Sequence, residues 1–125
     1  MPNPPVPTND ACVTIHPYFK VHEGKLSAFQ SLCERFVSKT SAELQCLYYG
    51  FTFMNDEVFC REGYLGAAAL LAHLDNVGEL LAEALQVAQL TRLEIHGPAD
   101  ELEKLRAPLV NLNPSYFVLE YGFRR

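Results

Sequence analysis

LQCLYYGFTFMNDEVFCRE, residues 44–62, is the stretch on which the fold turns. Two aromatic-rich runs, Leu44 to Met54 and Glu57 to Glu62, flank Asn55-Asp56. Runs of β-formers on either side of such a pair read as the two strands of a hairpin. On one side these strands carry Leu47, Tyr49, Phe51, Phe53 and Phe59; on the other they carry Leu44, Tyr48, Met54 and Val58. Neither set is polar enough to face water alone.

Upstream, Cys12 to Val21 alternates, with Val13, Ile15, Phe19 and Val21 on one side and Thr14, His16, Tyr18 and Lys20 on the other. That is a strand with two chemically different faces. Pro17 lacks an N–H for a ladder and so points to an edge strand or a bulge. His22-Glu23-Gly24 then turns the chain into a helix from about Lys25 to Thr40. Its apolar stripe is Leu26, Phe29, Leu32, Cys33, Phe36 and Val37. Residues 1–11, rich in proline, read as an extended leader that precedes a single domain over 12–125.

Downstream of the hairpin, Gly63 to about Val87 is rich in Ala and Leu, with a break expected at Asp75, Asn76 and Gly78. Leu90 to Gly97 reads as a strand, Asp100 to Leu109 as a short helix, and Tyr116 to Phe123 as a last strand. The order is β-α-β-β-α-β followed by an α-β unit. This is an α+β chain of ferredoxin-like type with a C-terminal addition. Helices covering one sheet face leave the other bare, and that face is too apolar to stand in water. Twofold self-association is the expected cover, so a homodimer, with further pairing left open, is the expected state.

Composition narrows the function classes. The chain has 125 residues, a net charge of −5 and no tryptophan. That acidic balance argues against a binder of nucleic-acid backbones, which needs clustered Lys and Arg. Cys12, Cys33, Cys46 and Cys60 include no CxxC pair, and read as free thiols in a reducing cytoplasm. The N-terminus lacks the basic start and apolar run of a signal peptide, and charges interrupt every apolar stretch. His16, His22, His73 and His96 fall on different elements, without HxH or HExxH, so no metal is expected. Gly63 and Gly66 lack the dinucleotide pattern, and no nucleophile elbow is present.

The element order, the stretch Phe59-Cys-Arg-Glu-Gly-Tyr64 and the helix carrying Ala72-His73-Leu74 resemble the antibiotic biosynthesis monooxygenase family. The first strand, Thr14-Ile-His-Pro-Tyr-Phe-Lys20, and the Glu43 to Tyr49 strand entry add to the resemblance, which spans about 12–97. It implies a dimeric α/β barrel with a pocket between sheet and helices in each protomer. Some members oxidise electron-rich aromatic or quinol substrates with molecular oxygen and no bound cofactor, and others degrade haem. Tyr64 stands near the position where haem degraders place a Trp, which this chain lacks.

His73 shares a helical stripe with Leu70, Val77 and Leu80 and therefore points towards the sheet. With the resemblance, it is the candidate general base or hydrogen-bond donor; the alternative is a core histidine satisfied by a carbonyl. Tyr18, Tyr48, Tyr49, Tyr64 and Tyr116 are candidate pocket phenols, although ordinary packing suits such residues too. His16 and Arg92, on the polar sides of their strands, are candidate substrate contacts, with Arg92 able to pair with Glu94 or Glu120 instead. Glu62 reads either as a partner of His73 or as a solvated strand-end residue. The resulting expectation is a cofactor-independent, monooxygenase-like enzyme for a small aromatic or quinone-type molecule. Two other readings stand beside it: a non-catalytic ligand-binding or stress-associated dimer, and an isomerase or decyclase of the same fold.

Overall fold

A computed structural model describes residues 10–125; the expected leader falls largely on residues 1–9, outside the described residues. Among the described residues, five strands form one sheet in the order β2-β3-β1-β4-β5. They are β1 (Cys12–Val21), β2 (Cys46–Met54), β3 (Glu57–Leu65), β4 (Ala88–Gly97) and β5 (Ser115–Val118). The helices are α1 (Leu26–Thr40), α2 (Ala67–Asn76), α3 (Gly78–Val87) and α4 (Ala99–Arg106). Strands β1 to β4 pair antiparallel and β5 joins β4 in parallel, as a ferredoxin-like core with an appended αβ unit requires.

Pro17 lies at the centre of the sheet, not at an edge, because β1 runs between β3 and β4. Two irregularities accommodate it. The β1–β3 ladder skips His16 and Pro17, and the β1–β4 register shifts between Tyr18 and Phe19. The extra residue is Thr91 of β4, whose hydroxyl donates to the Tyr18 carbonyl at 3.1 Å. The bulge, one of the two expectations, is thus the one realised.

The hairpin forms as read, with Asn55 in the left-handed region at φ 57°. Its faces need correction. Phe53 pairs with Val58 and Thr52 with Phe59, so Val58 joins Tyr49, Phe51 and Phe53 beneath the helices. Phe59 instead joins Tyr48 and Met54 on the outer face. Leu44 precedes β2 and is almost fully exposed. The last strand is shorter than expected. It stops at Val118 because its partner β4 ends at Gly97, and the Leu119 N–H makes the closing bond to the Gly97 carbonyl.

All the helices pack on one face. Phe29, Leu32 and Phe36 of α1 meet Phe19, Val21 and Val58, with Leu80 and Ala84 of α3 alongside. Leu70 of α2 and Leu102 and Leu105 of α4 meet Val13, Tyr64 and Ile95. The Ala-rich segment divides at Val77, whose N–H returns to the His73 carbonyl. No residue of α2 caps its own N-terminus; Glu101 of α4 does so, its carboxylate accepting from the Ala67 N–H at 2.9 Å. That bond satisfies an orphan helix donor and fastens the C-terminal unit to the core. None of the helices among the described residues is long and apolar enough to cross a membrane.

Candidate functional site

Between the sheet and helices α1 to α3 lies a cavity of about 60 Å³. Pro17, Phe29, Phe51, Leu74, Leu81 and Leu90 make its walls almost wholly apolar. Glu62 of β3 and His73 of α2 bring acid–base groups to this wall, accompanied by Tyr49 and Cys60. Strand alternation turns Glu62 inward with Val58, Cys60 and Tyr64, and helical spacing turns His73 inward with Leu70. Both are buried, Glu62 at 4% and His73 at 2% exposure.

A third group completes the set. Glu43, in the loop between α1 and β2, lies against the other side of the imidazole. His73 Nδ1 is 2.9 Å from Glu43 Oε2 and 3.1 Å from Oε1, while Nε2 stands 3.4 Å from Glu62 Oε1. The Asn76 amide donates to Glu43 Oε2 at 2.8 Å and to the Lys39 carbonyl at 3.2 Å, fixing the carboxylate where the ring needs it. The Tyr64 hydroxyl donates to Glu62 Oε1 at 2.6 Å, and the Tyr64 ring lies 4.9 Å from the imidazole. The resulting row is Glu43, His73, Glu62, Tyr64.

Electrostatics follow from burial. Desolvation raises the Glu62 carboxyl from the usual 4.5 to about 7, the hydrogen bonds from Tyr64 and Cys60 offsetting part of the rise. Burial also lowers His73 below 6.5, although the bond to Glu43 pulls the other way. The Glu43–His73 contact has ion-pair geometry, yet burial dominates, so the ring is neutral at pH 7 and the contact is a hydrogen bond. With Glu43 as acceptor, the single ring proton sits on Nδ1 and leaves Nε2 free to accept from Glu62. Burial pushes the phenols of Tyr49 and Tyr64 and the Cys60 thiol upward, so they stay protonated. Cys33 is pushed up to about 12. An acid with a pKa close to neutrality, touching a neutral base in an apolar chamber, can give or take a proton at physiological pH.

The structure gathers three of the sequence candidates, His73, Tyr49 and Tyr64; Tyr116 packs at the C-terminal unit, its hydroxyl donating to the Leu105 carbonyl at 3.3 Å, and four more lie elsewhere. His16, Tyr18, Tyr48 and Arg92 lie on the outer face, across the sheet from the cavity. There Arg92 pairs with Glu94 and lies over the Tyr18 ring, and His16 packs 4.6 Å from His96. Burial and His96 both lower the His16 pKa, with Glu94 opposing them. Tyr48 covers Gly63, where a Cβ would come within 2.5 Å of its ring. Glu62 is the buried partner of His73, not a solvated strand-end residue. Glu43 was not among the candidates; a loop residue thirty positions from its partner gives no periodic signal. Among the described residues no group of three His, Cys, Asp or Glu is arranged to hold a metal ion.

Comparison with known proteins adds an independent line. No protein-family model and no curated protein sequence matches the chain. Among solved structures, MupZ from Pseudomonas fluorescens is 46% identical, with a TM-score of 0.87 over 91% of this chain and 94% of that one. A Caulobacter crescentus protein assigned to antibiotic biosynthesis monooxygenases superimposes with a TM-score of 0.61 at 21% identity, over 69% and 86% of the two chains. A Chloroflexus aurantiacus protein with the same assignment gives 0.59 at 16% identity, over 70% and 93%. At those lower identities the likeness is one of fold.

Proposed function

The chain belongs to one family with MupZ and has the fold of the antibiotic biosynthesis monooxygenases, and from that premise we propose that it is an acid–base enzyme for a small, largely apolar molecule. The observation that carries this is the Glu62–His73 pair, set into an otherwise apolar cavity wall and braced from behind by Glu43. Such a site can deprotonate a weakly acidic aromatic or quinol-type substrate while excluding water from it. The stabilised carbanion then supplies the electrons for oxygen. Combination with O₂ and one proton gives a hydroperoxide, and loss of water leaves a carbonyl. Neither metal nor flavin takes part in this cofactor-independent, monooxygenase-like scheme.

A second reading is favoured by one feature, the Glu62 carboxyl that holds its proton up to about pH 7 beside the Tyr64 hydroxyl. A buried acid next to a base suits proton transfer without oxygen, as an isomerase or decyclase requires. Oxygen-electrode and anaerobic assays on a panel of quinols and enolisable ketones separate the two. Uptake of oxygen that falls by about 10²-fold in His73→Ala supports the first reading. Turnover under nitrogen supports the second. Ligand binding without turnover in either assay leaves a binding module, and uptake unchanged in His73→Ala removes that residue from the chemistry.

The working unit we propose is a homodimer. Tyr48, Met54 and Phe117 are substantially exposed on or beside the outer sheet face, where the Tyr18 and Phe59 rings meet at 4.8 Å. A twofold axis lets one such face cover another with a single self-complementary patch. Sedimentation equilibrium at micromolar concentration should give twice the 14.1 kDa chain mass. A single-chain mass there would remove this part of the proposal.

A further inference from the structure

Glu43 does more than brace the histidine ring, because it is the member of the row that reaches the surface. Its side chain is 15% exposed, whereas those of His73 and Glu62 are 3% and 5%. It also lines an open surface depression with Thr40, Ser41, Cys46 and Tyr49, on the far side of His73 from the apolar cavity. The row therefore joins two spaces, one open to the surface and one apolar, through a single imidazole.

We propose that Glu43 and His73 form a proton shuttle that connects the buried Glu62 carboxyl with solvent while the apolar cavity stays closed. The inference rests on reading Glu62 as the site's working acid. One transfer moves the Nδ1 proton to the Glu43 carboxylate and the Glu62 proton to Nε2. Glu62 is left ionised and His73 becomes the Nε2–H tautomer; Glu43 passes its proton to water. The reverse sequence recharges Glu62 and restores the first tautomer, so atoms and charge balance in both directions. Both nitrogens of a neutral imidazole are needed, and each faces a carboxyl here, Nδ1 at 2.9 Å and Nε2 at 3.4 Å.

The surroundings offer no competing ionised route. Besides Glu43, the titratable groups around His73 and Glu62 are Cys46 and Tyr49 of β2 and Cys60 and Tyr64 of β3. Burial raises all four, so they hold their protons. The walls contributed by α1 and β1 at the cavity are apolar residues such as Phe29, Phe36 and Ile15. Among the described residues the one other polar path, from Tyr64 to the Cys46 thiol at the same depression, runs through two groups that burial keeps protonated.

The resting protein suffices to test this, so the result does not depend on any substrate. Tyrosine labelled with ¹³C at Cζ reports hydroxyl exchange through the deuterium isotope shift, and Tyr64→Phe identifies the Tyr64 signal. The Tyr64 hydroxyl, bonded to Glu62, exchanges with water through the row. In Glu43→Gln the side-chain carbonyl still accepts from Nδ1 and holds the ring, but it cannot take the proton. Exchange should slow by on the order of 10²-fold, with circular dichroism unchanged. In Glu43→Ala, added formate should enter the vacated space and restore exchange in proportion to its concentration. Exchange in Glu43→Gln at the native rate would overturn the shuttle and leave Glu43 as a brace. Slowing in Glu43→Gln with no formate response in Glu43→Ala would overturn it too. Either result leaves the acid–base reading of Glu62 standing, since that is judged by turnover.

Discussion

Glu62→Gln is expected to make the protein more stable above pH 7 while abolishing the proposed turnover. In the folded chain the Glu62 carboxyl keeps its proton to about pH 7, whereas an unfolded chain releases it near 4.5. Between those values the folded state binds the extra proton, so the contribution of this residue to stability falls as pH rises through the window. By pH 8 the loss amounts to roughly 3 kcal/mol. His73 acts in the opposite sense. Its pKa is lowered below 6.5, so the folded state binds fewer protons and this residue's contribution rises with pH up to about 6.5. Above that point the Glu62 penalty is no longer opposed. Glutamine removes the charge and keeps the shape, its carbonyl taking the Oε1 place that accepts from the Tyr64 hydroxyl. Urea melts at pH 5 and pH 8 should therefore show native and variant close together at the lower pH and the variant ahead at the higher. A constant difference across that range would mean that Glu62 is not the buried titrating group described here. Loss of activity with gain of stability is the signature of a residue held in place for chemistry.

The hairpin was legible because its turn and its two aromatic runs are local, and the direction of His73 followed from helical spacing. Which face each hairpin residue occupies was less legible, for a reason visible in the register. From Tyr49 onward the odd-numbered residues of β2 face the helices, and the even-numbered residues of β3 do, since Phe53 pairs with Val58. Carrying one parity through the turn misplaces Phe59 and Val58. The same crossing of parity is what brings Glu62 beneath the helices beside His73. Tyr18, Tyr48, His16 and Arg92 carry chemistry suited to a pocket, but strand alternation sends them to the opposite surface. Glu43 lies in a loop, and only the docking of that loop against α2 reveals its role. Alternation and helical spacing encode direction within an element; they do not encode which loop will meet which helix.

Packing and the site meet again at Phe29, and Phe29→Ala should have the largest effect on stability of any single change in the cavity wall. This ring is 1% exposed, lies 5.4 Å from Phe19 and meets Phe51 and Phe53 edge-on at 6.4 Å. It thus joins α1 to β1 and β2 at the point where the helix settles on the sheet. Truncation removes the transfer energy of the ring, its aromatic contacts and the support of its neighbours, a loss of about 3–5 kcal/mol. Chemical denaturation should report that loss as a lowered midpoint with little change in slope. Phe29 also borders the cavity, whereas the acid–base row lies at Glu62 and His73, supported from β3, α2 and the Glu43 loop. The variant should therefore keep the Glu62 titration near pH 7 while accepting bulkier apolar ligands, read by ¹³C shifts of labelled glutamate and by calorimetry. A Glu62 pKa that drops towards 4.5 in Phe29→Ala would mean that water has reached the carboxyl, and that α1 rather than β3 and α2 keeps the chamber dry.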